Sequence, residues 1–208
     1  KLVFPAGGMD GASLYELING EQANLLLGVP TVWLGLLNYL DSINAKLDSV
    51  KNVVVGGSAA PLSMIKAFQE KHDAFLIHAW GMTELSPLGT VNSMTRNMAA
   101  LPLEQRYQAQ LKQGRPVYGV EIKIVDDAGK ELARDGKAFG RLLVRGPWVV
   151  DSYYLNEDRK SFVDGWFDTG DVATIDPQNT MQIVDRSKDV IKSGGEWISS
   201  IDLENAAV

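Results

Sequence analysis

Over residues 1–90 two hydrophobic periods alternate, and they predict alternating helices and strands. Trp33, Leu36, Leu37 and Leu40 recur at helical spacing behind Pro30, whose fixed φ suits a first helical turn. Met64, Ile65 and Phe68 repeat the pattern behind Pro61. Between them, Val53-Val54-Val55 is an unbroken apolar run closed by Gly56-Gly57, as in a strand buried on both faces of a parallel sheet. Ala74-Phe75-Leu76-Ile77 is a second such run, with Trp80-Gly81 opening the turn after it. Lys1 to Ala6 reads as a short strand and Ala12 to Asn19 as a helix. Layered α/β structure follows, in which ligands bind at turns beyond the carboxyl ends of strands.

From about Gln113 the period shortens to two. Val120, Ile122 and Ile124 alternate with Glu121 and Lys123, and Asp126-Asp127-Ala128-Gly129 supplies hairpin turn chemistry. Arg141 to Val144 and Met181 to Val184 read as further strands, with turns at Asp135-Gly136 and Asp176-Pro177. Residues 91–113 carry few signals and read as a loop or irregular helical connection. Ser199-Ser200-Ile201-Asp202 has the form of a capping box before a helix that has only begun at Val208. The expected division is 1–112, α/β; 113–187, a β-rich subdomain; and 188–208, the start of a truncated further domain.

Composition removes several function classes. A net charge of −6 argues against an electrostatic grip on nucleic acid or an anionic membrane. With no cysteine there is no disulfide framework, zinc–thiolate site or thiol nucleophile, which fits a reducing, cytoplasmic compartment. The longest apolar run, around Leu25-Leu26-Leu27, is too short to span a bilayer, and no signal peptide is visible. The only histidines are His72 and His78; His78 ends a strand and could line a pocket, but a half-buried, satisfied imidazole is the preferred reading.

The chemistry lies in three motifs that occur in a fixed order. They are Ala79-Trp80-Gly81-Met82-Thr83-Glu84, Trp166-Phe167-Asp168-Thr169-Gly170-Asp171, and the run from Asp185-Arg186-Ser187-Lys188 to Ser193-Gly194-Gly195-Glu196. Read alone, Trp80 is a core aromatic, Thr-Gly-Asp a turn and Arg186 a surface cation. Together and in order, they resemble the adenylate-forming superfamily of acyl-CoA synthetases, aryl-CoA ligases, luciferases and peptide-synthetase adenylation domains.

The resemblance implies roles for individual residues. Trp80, Gly81 and Met82 would meet adenine, Thr83 an α-phosphate oxygen, and Glu84 would ligate Mg²⁺ through a hard oxygen. Ser58, Ala59 and Ala60, in the small-residue loop Gly56–Pro61, would let backbone approach adenine and the acyl group. Asp171 would accept hydrogen bonds from both ribose hydroxyls, and Arg186 would contact ribose and phosphate with a permanent charge. Lys188 falls at the family's hinge position. Lys192, as a catalytic residue, and Glu196, against the cofactor, would reach the site in the thioester-forming orientation.

The implied reaction joins a carboxylic acid to ATP as acyl-AMP and then transfers the acyl group to coenzyme A. Leu27-Gly28-Val29-Pro30-Thr31-Val32-Trp33 and Ser193-Gly194-Gly195-Glu196-Trp197-Ile198-Ser199 resemble medium- and long-chain fatty acyl-CoA ligases and methylmercaptopropionate-CoA ligases. Val29, Trp33 and Met82 would suit an aliphatic tunnel or, equally, a core. The family's Ser/Thr/Gly-rich loop ending in lysine, and its late catalytic lysine, have no counterpart here. The 208 residues are therefore expected to be an inactive internal stretch of a longer enzyme. Transfer to a carrier protein, or nucleotide binding without catalysis, remain alternatives, and a homodimer is left open.

Overall fold

A helix, Gly11–Glu21 (α1), begins where Asp10 caps it by accepting the Ser13 N–H at 3.0 Å, and ends at Gln22 in the left-handed region. The computed structural model describes residues 1–156, 159–188, 191–193 and 196–198, in two compact units: 1–80 with 92–111, and 81–91 with 112–208. Lys1 to Ala6 is not a strand. Leu2 and Phe4 stay 85% and 79% exposed, so the apolar run there has no sheet to bury it.

The first unit continues as β1 (Leu25–Gly28), α2 (Pro30–Ile43), β2 (Asn52–Val55), α3 (Leu62–His72) and β3 (Phe75–Gly81). The three strands are parallel, with β2 between β1 and β3. Pro30 stands at the start of α2, and Leu36, Leu37 and Leu40 face the core with Met64, Ile65 and Phe68 of α3. These are the residues the helical period singles out. The apolar run Leu25–Leu27 proves to be a strand, its register set by Leu26 opposite Val53. Two further helices, Arg96–Ala99 (α4) and Leu103–Gln110 (α5), complete the unit. Tyr107 of α5 is fully buried and donates its hydroxyl to Glu70 at 3.1 Å, which anchors α5 on α3.

One boundary differs from expectation. Trp80-Gly81 does not open a turn; β3 runs on through it, because Leu76, His78 and Trp80 keep the period-two burial going past the polar histidine. The turn begins at Met82, and Gly81–Val91 groups with the second unit.

In the second unit β4 (Leu88–Asn92) pairs with β5 (Arg115–Pro116), with Val91 opposite Arg115. An antiparallel sheet of β6 (Glu121–Val125), β7 (Phe139–Arg145), β9 (Trp166–Ile175) and β10 (Met181–Arg186) follows, in the order β10-β9-β7-β6. A short strand, β8 (Phe162–Val163), forms a tight hairpin with β9 through Asp164-Gly165, both at positive φ. The turns at Asp126–Gly129, Asp135-Gly136 and Asp176–Asn179 stand where the sequence places them; Asp126 and Asp176 each accept two backbone N–H groups. Strands β11 (Ile191–Ser193) and β12 (Glu196–Ile198) pair antiparallel, with Ser193 opposite Glu196. The helix expected beyond Ser199 lies outside the described residues. Among the described residues, no helix is long and apolar enough to cross a membrane.

Candidate functional site

In the first unit, β2 and β3 run parallel and present their carboxyl ends at one edge. Gly56–Ala60 leaves β2 there, and a Cβ added at Gly56 would make ordinary contact with the Ala79 carbonyl oxygen, at 3.4 Å. Ser58 and Ala59 are exposed, whereas Ala60 is buried in the core. Trp80, one residue from the end of β3, is 8% exposed. His78 is buried on the same face of β3 and hydrogen-bonds the backbone of Ser58, Gln110 and Leu111. Burial pushes its imidazole below the ordinary histidine range, against those hydrogen bonds. It is a satisfied histidine, and it ties the Ser58 loop to the end of α5. Of the apolar candidates, Trp33 is core and donates its indole N–H to the Val54 carbonyl at 3.3 Å; Val29 is 44% exposed.

The remaining expected residues fall in the second unit. Gly81 is required by close approach: a Cβ there would stand 1.9 Å from the Pro87 carbonyl oxygen, the atom that accepts the Met82 N–H at 2.8 Å. Thr83–Leu85 then form one 3-10 turn, pinned by the fully buried Leu85, with Thr83 exposed and Met82 and Glu84 half-buried. Glu84 is held twice. Its carbonyl accepts the Val150 N–H at 2.8 Å, and its Oε1 accepts the Tyr153 hydroxyl at 2.7 Å. Sequence reasoning missed Tyr153, since nothing in the sequence separates it from Tyr154, which is 83% exposed.

Thr169-Gly170-Asp171 is not a turn. It lies inside β9 as a bulge opposite Leu142, where the pairing with β7 slips between Arg141 and Leu143. Gly170 takes φ +73°, the Thr169 hydroxyl donates to the Leu142 carbonyl at 3.0 Å, and the Asp171 N–H donates to the Thr169 Oγ1 at 3.1 Å. This aims Asp171 inward, 2% exposed, directly across from Arg186 of β10. Arg186 Nε meets Asp171 Oδ1 at 2.9 Å while its own side chain is 56% exposed. On the same strand Asp168 pairs with Arg141, and the Lys123 and Arg145 cations stand over the Trp166 ring, 4.3 and 4.5 Å from its centre.

Lys188 is exposed just after Arg186. Lys192 lies in β11 opposite Trp197, and Glu196 in β12; of the backbone that is what is described, and their side chains lie outside it. Among the described residues no cluster of three or more histidine, cysteine or acidic side chains could hold a metal alone. A single carboxylate such as Glu84 fits Mg²⁺ that takes its other oxygens from nucleotide phosphate and water.

With a parallel α/β unit ending in a small-residue loop, and a bulged strand holding a buried carboxylate against an arginine, the chain has the parts of an adenylation domain. It matches the AMP-binding enzyme family over residues 1–154, and it belongs to that family. It is 50% identical over 208 residues to the 3-methylmercaptopropionyl-CoA ligase of Ruegeria lacuscaerulensis, covering 100% of this chain and 39% of that protein. It is equally identical, at 50% over 208 residues, to the medium-chain-fatty-acid–CoA ligase of Ectopseudomonas oleovorans, of which it covers 38%. Among solved structures, the o-succinylbenzoate coenzyme A synthetase of Bacillus subtilis, with ATP and a magnesium ion, superposes with a TM-score of 0.78 at 27% identity. That match covers 96% of this chain and 39% of the other.

Proposed function

We propose that this chain is part of an ATP-dependent acid–CoA ligase that activates a medium- or long-chain fatty acid, or a short thioether acid, in the cytoplasm. One observation carries the reading: a chain half-identical to two acid–CoA ligases holds a buried Asp171 under an exposed Arg186. A carboxylate oxygen of the acid attacks the α-phosphorus of ATP and expels pyrophosphate. The thiol of coenzyme A then attacks the acyl carbon and expels AMP, with the thiol proton leaving to solvent. Mg²⁺, held by Glu84 and phosphate oxygens, would neutralise charge on the phosphates.

In this reading Ser58, Ala59, Ala60, Trp80, Gly81 and Met82 bound adenine, and Thr83 donates to the α-phosphate. Asp171 accepts from the two ribose hydroxyls, sharing the carboxylate with Arg186, whose side chain is 56% exposed. Lys188 acts as the hinge, and Lys192 and Glu196 join the thioester step. The three-part division at 112 and 187 belongs to the same proposal. The 208 residues on their own form no acyl-AMP.

The test is acid-dependent pyrophosphate release, then thioester formation with coenzyme A, by the full-length protein. In it Asp171→Ala removes two charge-assisted hydrogen bonds, on the order of 2–4 kcal/mol, so kcat/KM for ATP falls roughly thirtyfold or more. A fall below about fivefold in a folded variant would reduce Asp171 to a structural residue.

A further inference from the structure

We infer that Tyr153 is a positioning residue that sets the Glu84 carboxylate for the divalent cation of the bound nucleotide, an inference that rests on the proposed role of Glu84. Glutamate is long and rotamer-rich, and a half-exposed one loses freedom when it ligates a metal. Here that freedom is already restricted. The Glu84 backbone is fixed by the 3-10 turn, by buried Leu85, and by the Val150 N–H at 2.8 Å. Its Oε1 accepts from Tyr153 Oη at 2.7 Å, and among the described residues Tyr153 is the one side chain that hydrogen-bonds it. One oxygen is thus oriented by a neutral donor, and the charge remains for a cation.

The hydroxyl is itself placed by packing. The Tyr153 ring meets Phe162 of β8 edge-on at 5.6 Å and 72°, and Phe167 of β9 at 6.3 Å and 73°. Phe162 and Phe167 lie opposite each other in the β8–β9 hairpin, 5.3 Å apart. Phe167 stands four residues before Asp171 on the same strand. Tyr153 therefore couples the strand that carries Asp171 to the turn that carries Glu84. Partners of metal ligands that lie one layer out typically change metal affinity 10- to 100-fold when removed, on the order seen for such hydrogen bonds.

The experiment measures ATP affinity of the full-length protein by calorimetry, in EDTA and in saturating Mg²⁺, and takes the ratio. Tyr153→Phe keeps the ring and its packing. It should cut the Mg²⁺ enhancement about tenfold and leave metal-free ATP affinity unchanged; a merely structural role would weaken both alike. Glu84→Gln should cut the enhancement at least as far. Tyr153→Phe added to Glu84→Gln should change nothing more, and Tyr154→Phe should match the parent protein. An enhancement lost in Glu84→Gln and kept in Tyr153→Phe overturns the role of Tyr153 alone. An enhancement kept in Glu84→Gln overturns the assignment of Glu84, and the role of Tyr153 with it.

Discussion

Gly81→Ala is the sharpest structural test of how the Met82–Glu84 turn is made. The new Cβ would stand 1.9 Å from the Pro87 carbonyl oxygen, 2.9 Å from its carbon and 3.1 Å from Leu88 Cα, all backbone atoms that no rotamer change can move. To reach even a tight contact the two segments must separate by about 1 Å, an overpacking strain of about 1–3 kcal/mol. The Met82 N–H to Pro87 carbonyl bond, 2.8 Å long, spans the same gap and is stretched with it, for a further ~1 kcal/mol. A loss of about 2–4 kcal/mol follows. Urea denaturation of Gly81→Ala against the parent measures it, with Gly20→Ala as the control. Gly20 lies in α1 with nothing within 4 Å of a Cβ, so alanine there should stabilise by about 0.5–1 kcal/mol through helix propensity. A cost below about 0.5 kcal/mol for Gly81→Ala would show that the turn yields easily and that close approach is not why glycine stands there.

Thr169→Val keeps the shape of a β-branched side chain but removes the hydroxyl that donates to the Leu142 carbonyl and accepts the Asp171 N–H. It leaves a buried N–H without that partner, so urea denaturation should show a loss of about 1–3 kcal/mol; a loss under about 0.3 kcal/mol would mean the bulge forms without it. His72 and His78 are both buried with titration pushed down by burial, His72 against attraction from Asp41 and with repulsion from Lys71 and Lys46. A folded-state value below the unfolded ~6.5 means the unfolded chain takes up the proton first, so stability present at higher pH is lost as pH falls below about 6.5, by at most ~1.4 kcal/mol per pH unit per histidine. Among the described residues neither ring nitrogen of His72 has a hydrogen-bond partner, so His72→Leu should lessen the loss between about pH 7 and 5.5; an unchanged slope would exonerate His72.

Local pattern determined much of this protein. The helices behind Pro30 and Pro61, the central strand Val53–Val55, and the aspartate and glycine turns of the β-rich unit each follow from period and backbone chemistry within a few residues. The three ordered motifs, too, sufficed to place the chain in its family. Tertiary structure decided what depends on a distant partner. Lys1–Ala6 has a short apolar run and no sheet, while Leu25–Gly28, another apolar run, becomes a strand because Val53 and its neighbours lie beside it. His78 looked like the end of a strand, yet bonds to the Ser58, Gln110 and Leu111 backbone let β3 carry it inward and run on through Trp80. Thr169-Gly170-Asp171 has the composition of a turn, but ladders on both sides hold it in β9 and leave it a bulge. Of the twin Tyr153-Tyr154, only the packed chain selects the one that reaches Glu84, 69 residues away in sequence. Period and turn chemistry act over a handful of residues, whereas burial and hydrogen-bond partners are supplied by whatever the fold brings near.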